Sequence, residues 1–412
     1  MNFSLFIARR LRLGTSDKSK ASAPIIQIAI GAIALGMVMM LVAMGTGRGL
    51  KMVIRDKIAA FEGHIQVIHM DHNQSQVHLK PLKVDTAQKD RLAKLPGVQQ
   101  VQGVIQKAGL IRTEDTFEGF IAKGIGEDYD TAPLRSLLVS GRLPQWGKPQ
   151  NTEILLSQTL AQKLQLKVGD ECRGFFLNHT SQGIPSQRKF DVVGIYESGF
   201  ESLDAQYLWM DIATLRQLNG WSPDEVGQLE LKVSSFEDLD EIAFNAYDAT
   251  PSDWDVRSIK QRFSAIFEWI DLFDFNIALV VSIMLLVGGL NMVTALLVII
   301  LDRTSTIGVL KTLGATNSDI QRIFLYNASA LVFKGMFWGN ILGLIFLGTQ
   351  YYWRWIEFPN PQDYYINYVP VSLDIYSWLL LNAVVLAGSM LLLLVPARVV
   401  ASINPIRTVQ FK

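Results

Sequence analysis

Four long apolar runs constrain this chain more than any other feature of its sequence. An apolar stretch of about 20 residues is the length that a helix needs to cross the hydrocarbon core of a membrane. The runs cover Ile25–Met44, Ile277–Leu301, Ile323–Leu347 and Trp378–Val395. They predict four membrane-spanning helices, to which we assign residues 25–47, 269–301, 323–348 and 376–397.

Residues 48–268, between the first two runs, have a different composition, with charges throughout and no apolar stretch long enough to span. Short runs with strand character alternate here with helical stretches. Strands are expected at His64–Met70, Val98–Thr113, Phe117–Ile125, Glu153–Ser157, Arg173–Leu177, Phe190–Tyr196, Gln206–Met210 and Gln228–Val233. We expect a large mixed α+β domain, with enough residues to bury its own core or to divide into two lobes.

Basic residues predict how the chain is oriented in the membrane. Residues 1–24 hold five Lys or Arg residues against one acid, Asp17, and the tail 398–412 is also basic. Short basic segments stay in the cytoplasm, whereas long domains cross regardless of charge. Residues 1–24 are thus a cytoplasmic amphipathic segment, 48–268 an extracytoplasmic domain, 302–322 a cytoplasmic loop, 349–375 an extracytoplasmic loop and 398–412 a cytoplasmic tail. This predicts a multi-pass membrane protein with both termini in the cytoplasm.

Composition also excludes several classes of function. Lys and Arg together number 38, as do Asp and Glu, so the net charge of zero gives no whole-chain case for nucleic-acid binding. The single cysteine, Cys172, excludes an intrachain disulfide framework. His64, His69, His72 and His78 lack the spacing of a preformed metal site and are expected to be scattered surface histidines. We predict no catalytic residue, no metal site and no cofactor in this chain, which also lacks a phosphate-binding loop for ATP.

The polar segment Asp302–Arg322 has the pattern of a capped helix followed by a sharp stop. Thr304 or Ser305 is expected to cap a short helix whose apolar face carries Ile307, Leu310 and Leu313. Gly314 is expected to end the helix, and Thr316 with Asp319 to form a capping box that opens the next one. The pattern fits a docking surface and an inert connector equally well.

Two other features have competing interpretations. The hairpin tip Asn178–Gln187 is either a binding loop or an inert connection. Lys334, halfway along the third run, either contacts a membrane cavity or extends its stem to a head group. Candidate residues for such a cavity are Met40, Met44, Asn291 and Lys334.

Three motifs resemble the FtsX/MacB-type permease subunits of ABC transporters. They are Arg303-Thr304-x-x-Ile307-Gly308-Val309-Leu310-Lys311-x-Leu313-Gly314-Ala315, the stretch from Leu156-Ser157 to Val168-Gly169-Asp170, and Pro396-Ala397-Arg398 with Asn404-Pro405-Ile406-Arg407. Within that family, Ile54-Arg55-Asp56-Lys57-Ile58, Val193-Gly194-Ile195-Tyr196 and Tyr365-Ile366-x-x-Val369-Pro370-Val371 resemble the LolC/LolE lipoprotein-releasing branch. The resemblance implies a MacB-like periplasmic core domain and an ATPase-coupling segment. That segment comprises Arg303, Thr304, Ile307, Gly308, Leu310, Lys311, Leu313 and Gly314.

The resemblance also implies partners. It implies a LolD-like ATPase dimer that binds ATP and Mg²⁺, a second permease subunit (identical or homologous), a lipoprotein substrate in membrane lipid, and a LolA-like periplasmic carrier. The loop for that carrier comprises Gly183, Ile184, Pro185, Ser186, Gln187 and Arg188. Two other functions remain open: an FtsX-like mechanical regulator of a cell-wall hydrolase, and a MacB-like efflux permease.

Overall fold

The chain folds into two units, which we describe separately. The computed structural model describes residue 7 and residues 22–72, 80–114, 116–148, 151–176, 185–359 and 368–401. The membrane unit comprises Met1–Met52, Trp269–Ile356 and Tyr368–Lys412, and the α+β unit comprises Val53–Glu268 and Glu357–Asn367. The predicted domain bounds of 48 and 268 thus correspond to 53 and 268 in the structure.

Helices of very different length occur in the two units. In chain order they are α1 (Ser22–Glu62), α2 (Thr86–Ala93), α3 (Ala132–Ser136), α4 (Gln158–Leu164), α5 (Glu201–Asp204), α6 (Ile212–Asn219), α7 (Leu239–Ala249), α8 (Ile259–Arg262), α9 (Ser264–Asp302), α10 (Thr304–Thr312), α11 (Asn317–Trp353) and α12 (Ile375–Ala401). Four are long and apolar enough to cross a membrane, at Pro24–Glu62, Ser264–Asp302, Asn317–Trp353 and Ile375–Leu394. The prediction of four spanning helices is confirmed.

The end of the first helix differs from the prediction. The apolar run predicts an end near residue 47, whereas α1 continues to Glu62. Ile54, Ile58 and Phe61 recur at helical spacing along this extension and are all buried. Such an apolar stripe stabilises a helix against a folded core without requiring a membrane. A search for continuous apolar runs misses this extension, because the opposite face of the helix is charged.

Three glycines allow α1 and α11 to pack closely in the membrane unit. A Cβ atom at Gly339 would lie 2.5 Å from Met37 Cβ and 2.7 Å from the Ala34 carbonyl oxygen. Gly335 and Gly343 face Ile33 and Leu41 in the same way. Small residues at four-residue spacing are the usual means by which membrane helices approach one another. The sequence contains this pattern twice in succession, as Gly335-x-x-x-Gly339-x-x-x-Gly343.

Hydrogen bonds between side chains join α11 to α12. Trp378 Nε1 donates to Asn340 Oδ1 at 2.7 Å, and Asn340 Nδ2 donates to Asn382 Oδ1 at 2.8 Å. Polar side chains of this kind hold membrane helices together because hydrocarbon offers them no alternative partner. Asn276 and Asn291 of α9 are exposed and take no part in these bonds.

Ion pairs connect α1, close to the point where the membrane unit ends at Met52, to α9 and to the residue before α12. Lys51 Nζ lies 2.9 Å from Asp271 and 2.7 Å from Asp274, both at the start of α9. Arg48 lies 2.6 Å from Asp374, which directly precedes α12. All three pairs are substantially exposed, so each contributes less than about 1 kcal/mol to stability and mainly fixes the relative position of the helices.

The α+β unit is built on one large sheet. Its strands are β1 (Ile65–His69), β3 (Val98–Arg112), β4 (Phe117–Ile125), β5 (Leu138–Gly141), β6 (Glu153–Ser157), β7 (Glu171–Phe176), β8 (Ser186–Tyr196), β9 (Tyr207–Asp211), β11 (Gln228–Val233) and β12 (Trp254–Ser258), while β2 (Leu82–Lys83) and β10 (Glu225–Val226) form a separate pair. The order is β12-β1-β11-β3-β4-β9-β6-β8-β5, with β7 paired to β3 and β8. All eight predicted strands are present, and the mixed α+β fold is confirmed.

A buried ion pair lies on this sheet beneath an aromatic cluster. Lys123 Nζ is 2.5 Å from Glu230 Oε1, with exposures of 0% and 2%. Tyr129 donates a hydrogen bond to the same carboxylate, and the Lys123 ammonium lies 5.1 Å from the Trp209 ring. Burial raises the pKa of the Glu230 carboxyl, and the Lys123 charge opposes that rise.

Candidate functional site

The candidate site centres on α10, the short helix between α9 and α11. Its predicted N-terminal cap is wrong. Arg303 occupies the cap position without a side-chain cap bond. Thr304 instead lies inside the helix, where its hydroxyl donates back to the carbonyls of Ile300 and Leu301 at 3.0 and 2.7 Å. Threonine commonly bonds to a preceding turn in this way when the helix before it is nearly continuous.

The end of α10 and the start of α11 follow the prediction. Gly314 adopts a φ of +95°, a conformation that favours glycine, directly after the last turn. The Ala315 N–H then donates to the Leu310 carbonyl at 3.0 Å. Thr316 and Asp319 form the capping box that begins α11. These contacts fix the angle at which the chain leaves α10.

The apolar face predicted for docking is directed into the membrane unit. Ile307 is only 2% exposed and packs in a buried cluster with Ile320 and Ile323. Leu310 is packed against the same cluster, and Gly308 is buried. A side chain that fills a core cannot also be a contact for a partner. Ile307 and Gly308 are thus buried within this chain, and their part in ATPase coupling stays a prediction.

A different face of α10 is exposed. Val309 is 52% exposed and Leu313 is 79% exposed, and Thr312 and Gly314 are exposed beside them. Val309 and Leu313 are four residues apart, so their side chains are neighbours on one helix face. We name Val309, Thr312, Leu313 and Gly314 the coupling surface. The predicted coupling segment includes Leu313 and Gly314 but not Val309 or Thr312. The four-residue spacing of Val309 from Leu313 could have identified Val309.

The charged and polar members of the predicted coupling segment flank this surface. Arg303, Thr304 and Lys311 are half-buried. Arg303 Nε lies 3.8 Å from the carboxylate of its neighbour Asp302. The eight predicted residues thus differ in exposure. Ile307 and Gly308 are buried, Leu313 and Gly314 are exposed, and the other four are half-buried.

The predicted carrier loop is described only in part. Gly183 and Ile184 lie outside the described residues. Ser186 and Gln187 belong to β8 rather than to a loop tip, since they pair with Phe176 and Phe175 of β7. Strand β8 therefore starts about four residues before the predicted start at Phe190. Its partner β7 pairs with β3 on the other side, so the ladder at Ser186 and Gln187 belongs to the large sheet. Pro185 and Arg188 adjoin or lie in this strand.

The four residues predicted to line a membrane cavity do not come together. Met40 and Met44 are 2% and 7% exposed and belong to the core of the membrane unit. Asn291 and Lys334 are exposed on α9 and α11. Met40 does border a small cavity of about 20 Å³ with Met284 and Met292, which has room for roughly one water molecule. Met40 and Met44 therefore fill the core of this chain's membrane unit with their flexible side chains, and a cavity shared with a second subunit stays a prediction.

Family models and curated relatives agree with this architecture. The model of the MacB-like periplasmic core domain matches residues 28–246, and the model of the FtsX-like permease C-terminal region matches residues 278–405. A lipoprotein-releasing system transmembrane protein LolC from Neisseria meningitidis serogroup B is 23% identical, with 94% of each chain covered. A lipoprotein-releasing system transmembrane protein LolE from Haemophilus influenzae is 22% identical, with 98% of each chain covered.

The two family models divide the chain as the fold does. One spans the first long helix and most of the α+β unit, and the other spans the last three long helices with α10 between them. The first alone covers more than half of the 412 residues. The chain belongs to the FtsX-like permease family and carries a MacB-like periplasmic core domain.

Proposed function

We propose that this chain is the permease subunit of an ABC transporter that releases lipoproteins from the inner membrane, driven by a separate ATPase that docks on the coupling surface. The observation that supports the docking step most strongly is the division of α10. Its buried side packs through Ile307 into the membrane unit, while Val309 and Leu313 on another side are free of that core. A push on the exposed side would therefore be transmitted to the packed side chains of the membrane helices.

The proposed orientation places α10 and both termini in the cytoplasm and the α+β unit in the periplasm. Basic residues in the short segments favour this orientation. The motor dimer would bind ATP and Mg²⁺, close on nucleotide, and move α10 with the ends of α9 and α11. A second permease subunit, identical or homologous, would complete the membrane part.

The proposed cargo follows from the curated relatives, whose names describe lipoprotein-releasing transmembrane proteins over nearly the full length of this chain. Transfer of acyl chains through water would cost about 0.8 kcal/mol per CH₂ group, which amounts to tens of kcal/mol for several long chains. A sheltered hand-off to a periplasmic carrier removes most of that cost. We assign the carrier contact to the β7–β8 hairpin that ends near Ser186.

Asp substitution on the coupling surface tests the docking step. The Val309→Asp/Leu313→Asp variant should reduce co-purification of the ATPase about 30-fold, as expected when a central apolar contact worth about 2 kcal/mol is lost. Phe244→Asp is the matched control, because Phe244 is a 64% exposed apolar residue on α7 of the α+β unit. Wild-type co-purification and ATPase activity in the double variant would contradict docking on this surface and favour an inert connector.

Site-specific crosslinking at Ser186 tests the choice of cargo. Release predicts capture of a small lipid-binding carrier. Capture of only a cell-wall hydrolase would support the mechanical regulator, and capture of only a channel or adaptor protein would support efflux. Either result would overturn the release function without affecting the docking step.

A further inference from the structure

Lys334 places a positive charge on the outward face of α11 at mid-membrane depth. It follows Ile323 by 11 residues and precedes Leu347 by 13 residues. At 1.5 Å per residue, the side chain emerges roughly 16 Å from one end of the apolar run and roughly 20 Å from the other. Lys334 itself is exposed on the membrane unit.

Bulky aromatic side chains surround this charge on the same face. Phe337 and Trp338, three and four residues further along α11, are 60% and 54% exposed, and the adjacent Phe333 is 55% exposed. Residues three and four apart are neighbours on a helix surface, so Lys334 neighbours Phe337 and Trp338, and Phe333 neighbours Phe337. The Phe337 and Trp338 rings contact each other at a centroid distance of 5.7 Å, and neither carries a charge that could neutralise the ammonium group.

The chain itself offers no counter-charge. Among the described residues, no ion pair or hydrogen bond involves Lys334. None of the four apolar runs contains Asp or Glu. A second copy of this chain would therefore bring no carboxylate to mid-membrane depth.

Lipid head groups are too far away to supply the counter-charge in an undistorted bilayer. The lysine side chain extends on the order of 6 Å from its Cα atom. The remaining distance to either boundary is about 10 Å or more. Ionisable side chains within membranes are as a rule paired or face a polar cavity.

We propose that the face formed by Phe333, Lys334, Phe337 and Trp338 is the docking site for a transmembrane helix of a different protein, one that carries an Asp or Glu at mid-membrane depth. The carboxylate pairs with the Lys334 ammonium, and the aromatic side chains pack along the incoming helix. The inference does not depend on ATPase docking or on the identity of the cargo, since it uses a face of α11 and not of α10.

Affinity purification of the full-length protein from membranes of its native host tests the proposal. Wild type, Lys334→Arg and Lys334→Met are compared by quantitative mass spectrometry of the co-purified membrane proteins. We expect one membrane protein with an intramembrane Asp or Glu to be retained by wild type and Lys334→Arg. Its recovery should fall about tenfold with Lys334→Met, since interhelical polar contacts reach about 1.7 kcal/mol.

A charge exchange then distinguishes direct pairing from a general effect on folding. Replacing the partner's carboxylate by Lys should abolish recovery with wild type and restore it with Lys334→Asp. Equal recovery of every membrane protein by wild type and Lys334→Met would overturn the proposal. So would loss of a bound anionic lipid alone, loss of a second copy of this chain alone, or a lost partner without an intramembrane carboxylate.

Discussion

Removal of the Lys123 ammonium is expected to destabilise the α+β unit more than any surface substitution. In a Lys123→Met variant the Glu230 carboxylate keeps its burial but loses the charge 2.5 Å away. Breaking a buried pair on one side costs about 3–5 kcal/mol. For a unit of this size, 1 kcal/mol corresponds to about 2–4 °C in Tm, so we expect a decrease of roughly 10 °C.

The same substitution should change the pH dependence of the unit. Without Lys123, burial would raise the pKa of Glu230 further above its unfolded value. A group whose pKa is raised on folding stabilises the fold at low pH and loses that contribution as the pH rises through the folded pKa. The Tm difference between Lys123→Met and wild type should therefore be smaller at pH 5 than at pH 8.

Thermal unfolding of the full chain in detergent, followed by tryptophan fluorescence, measures both effects. Trp209 is a suitable reporter because it is fully buried beside Lys123. The control is Lys123→Met/Glu230→Gln, which removes the unpaired charge while keeping a hydrogen-bonding partner for Tyr129. It should recover part of the lost stability. A decrease below 2 °C in Lys123→Met, or a double variant as unstable as the sum of both singles, would refute the reasoning.

Two further predictions concern polar groups in each unit. In the membrane unit, Asn340→Leu breaks the hydrogen bonds to Trp378 and Asn382. It should lower the free energy of unfolding in detergent by about 1–2 kcal/mol. An unchanged Tm would show that these bonds do not stabilise the unit. In the α+β unit, burial lowers the pKa of His64 to about 4, below its unfolded value of about 6.5. The neutral imidazole therefore contributes to the free energy of unfolding above pH 6.5, and this contribution should be lost as the pH falls toward 4. His64→Gln should flatten that decline, and an identical decline would exclude His64 as its cause.

Sequence patterns predict this fold well because each unit has its own pattern. Long apolar runs occur in the membrane unit, and short runs with strand character occur in the α+β unit. The four apolar runs and the eight strands are all local signals, and each one forms the expected element. The strand Phe117–Ile125 and the helix Gln158–Leu164 even have the predicted ends. The extension of α1 is missed because Ile54 and Ile58 are separated by charged residues, which end an apolar run but not an amphipathic helix.

The candidate site is less predictable, since the residues on a helix face do not reveal whether that face contacts other helices or solvent. Ile307 and Leu313 have the same character in sequence, yet one is buried and the other is exposed because Ile320 and Ile323 cover only one side of α10. Met40 and Met44 likewise fill a core that only the packing of other helices defines. Lys334 is recognisable in sequence as an anomaly, but its outward direction depends on how α11 rotates to place Gly339 against α1.

Direct contact between the coupling surface and the motor is the central claim, and single-cysteine crosslinking in membranes tests it most directly. The natural Cys172 is buried and burial raises its pKa to about 12, so it should react little with thiol reagents at neutral pH. Leu313→Cys should crosslink to a cysteine-bearing ATPase subunit, and the buried Ile307→Cys should not. The account is contradicted if Leu313→Cys gives no adduct with an ATPase that co-purifies normally, or if both positions crosslink equally.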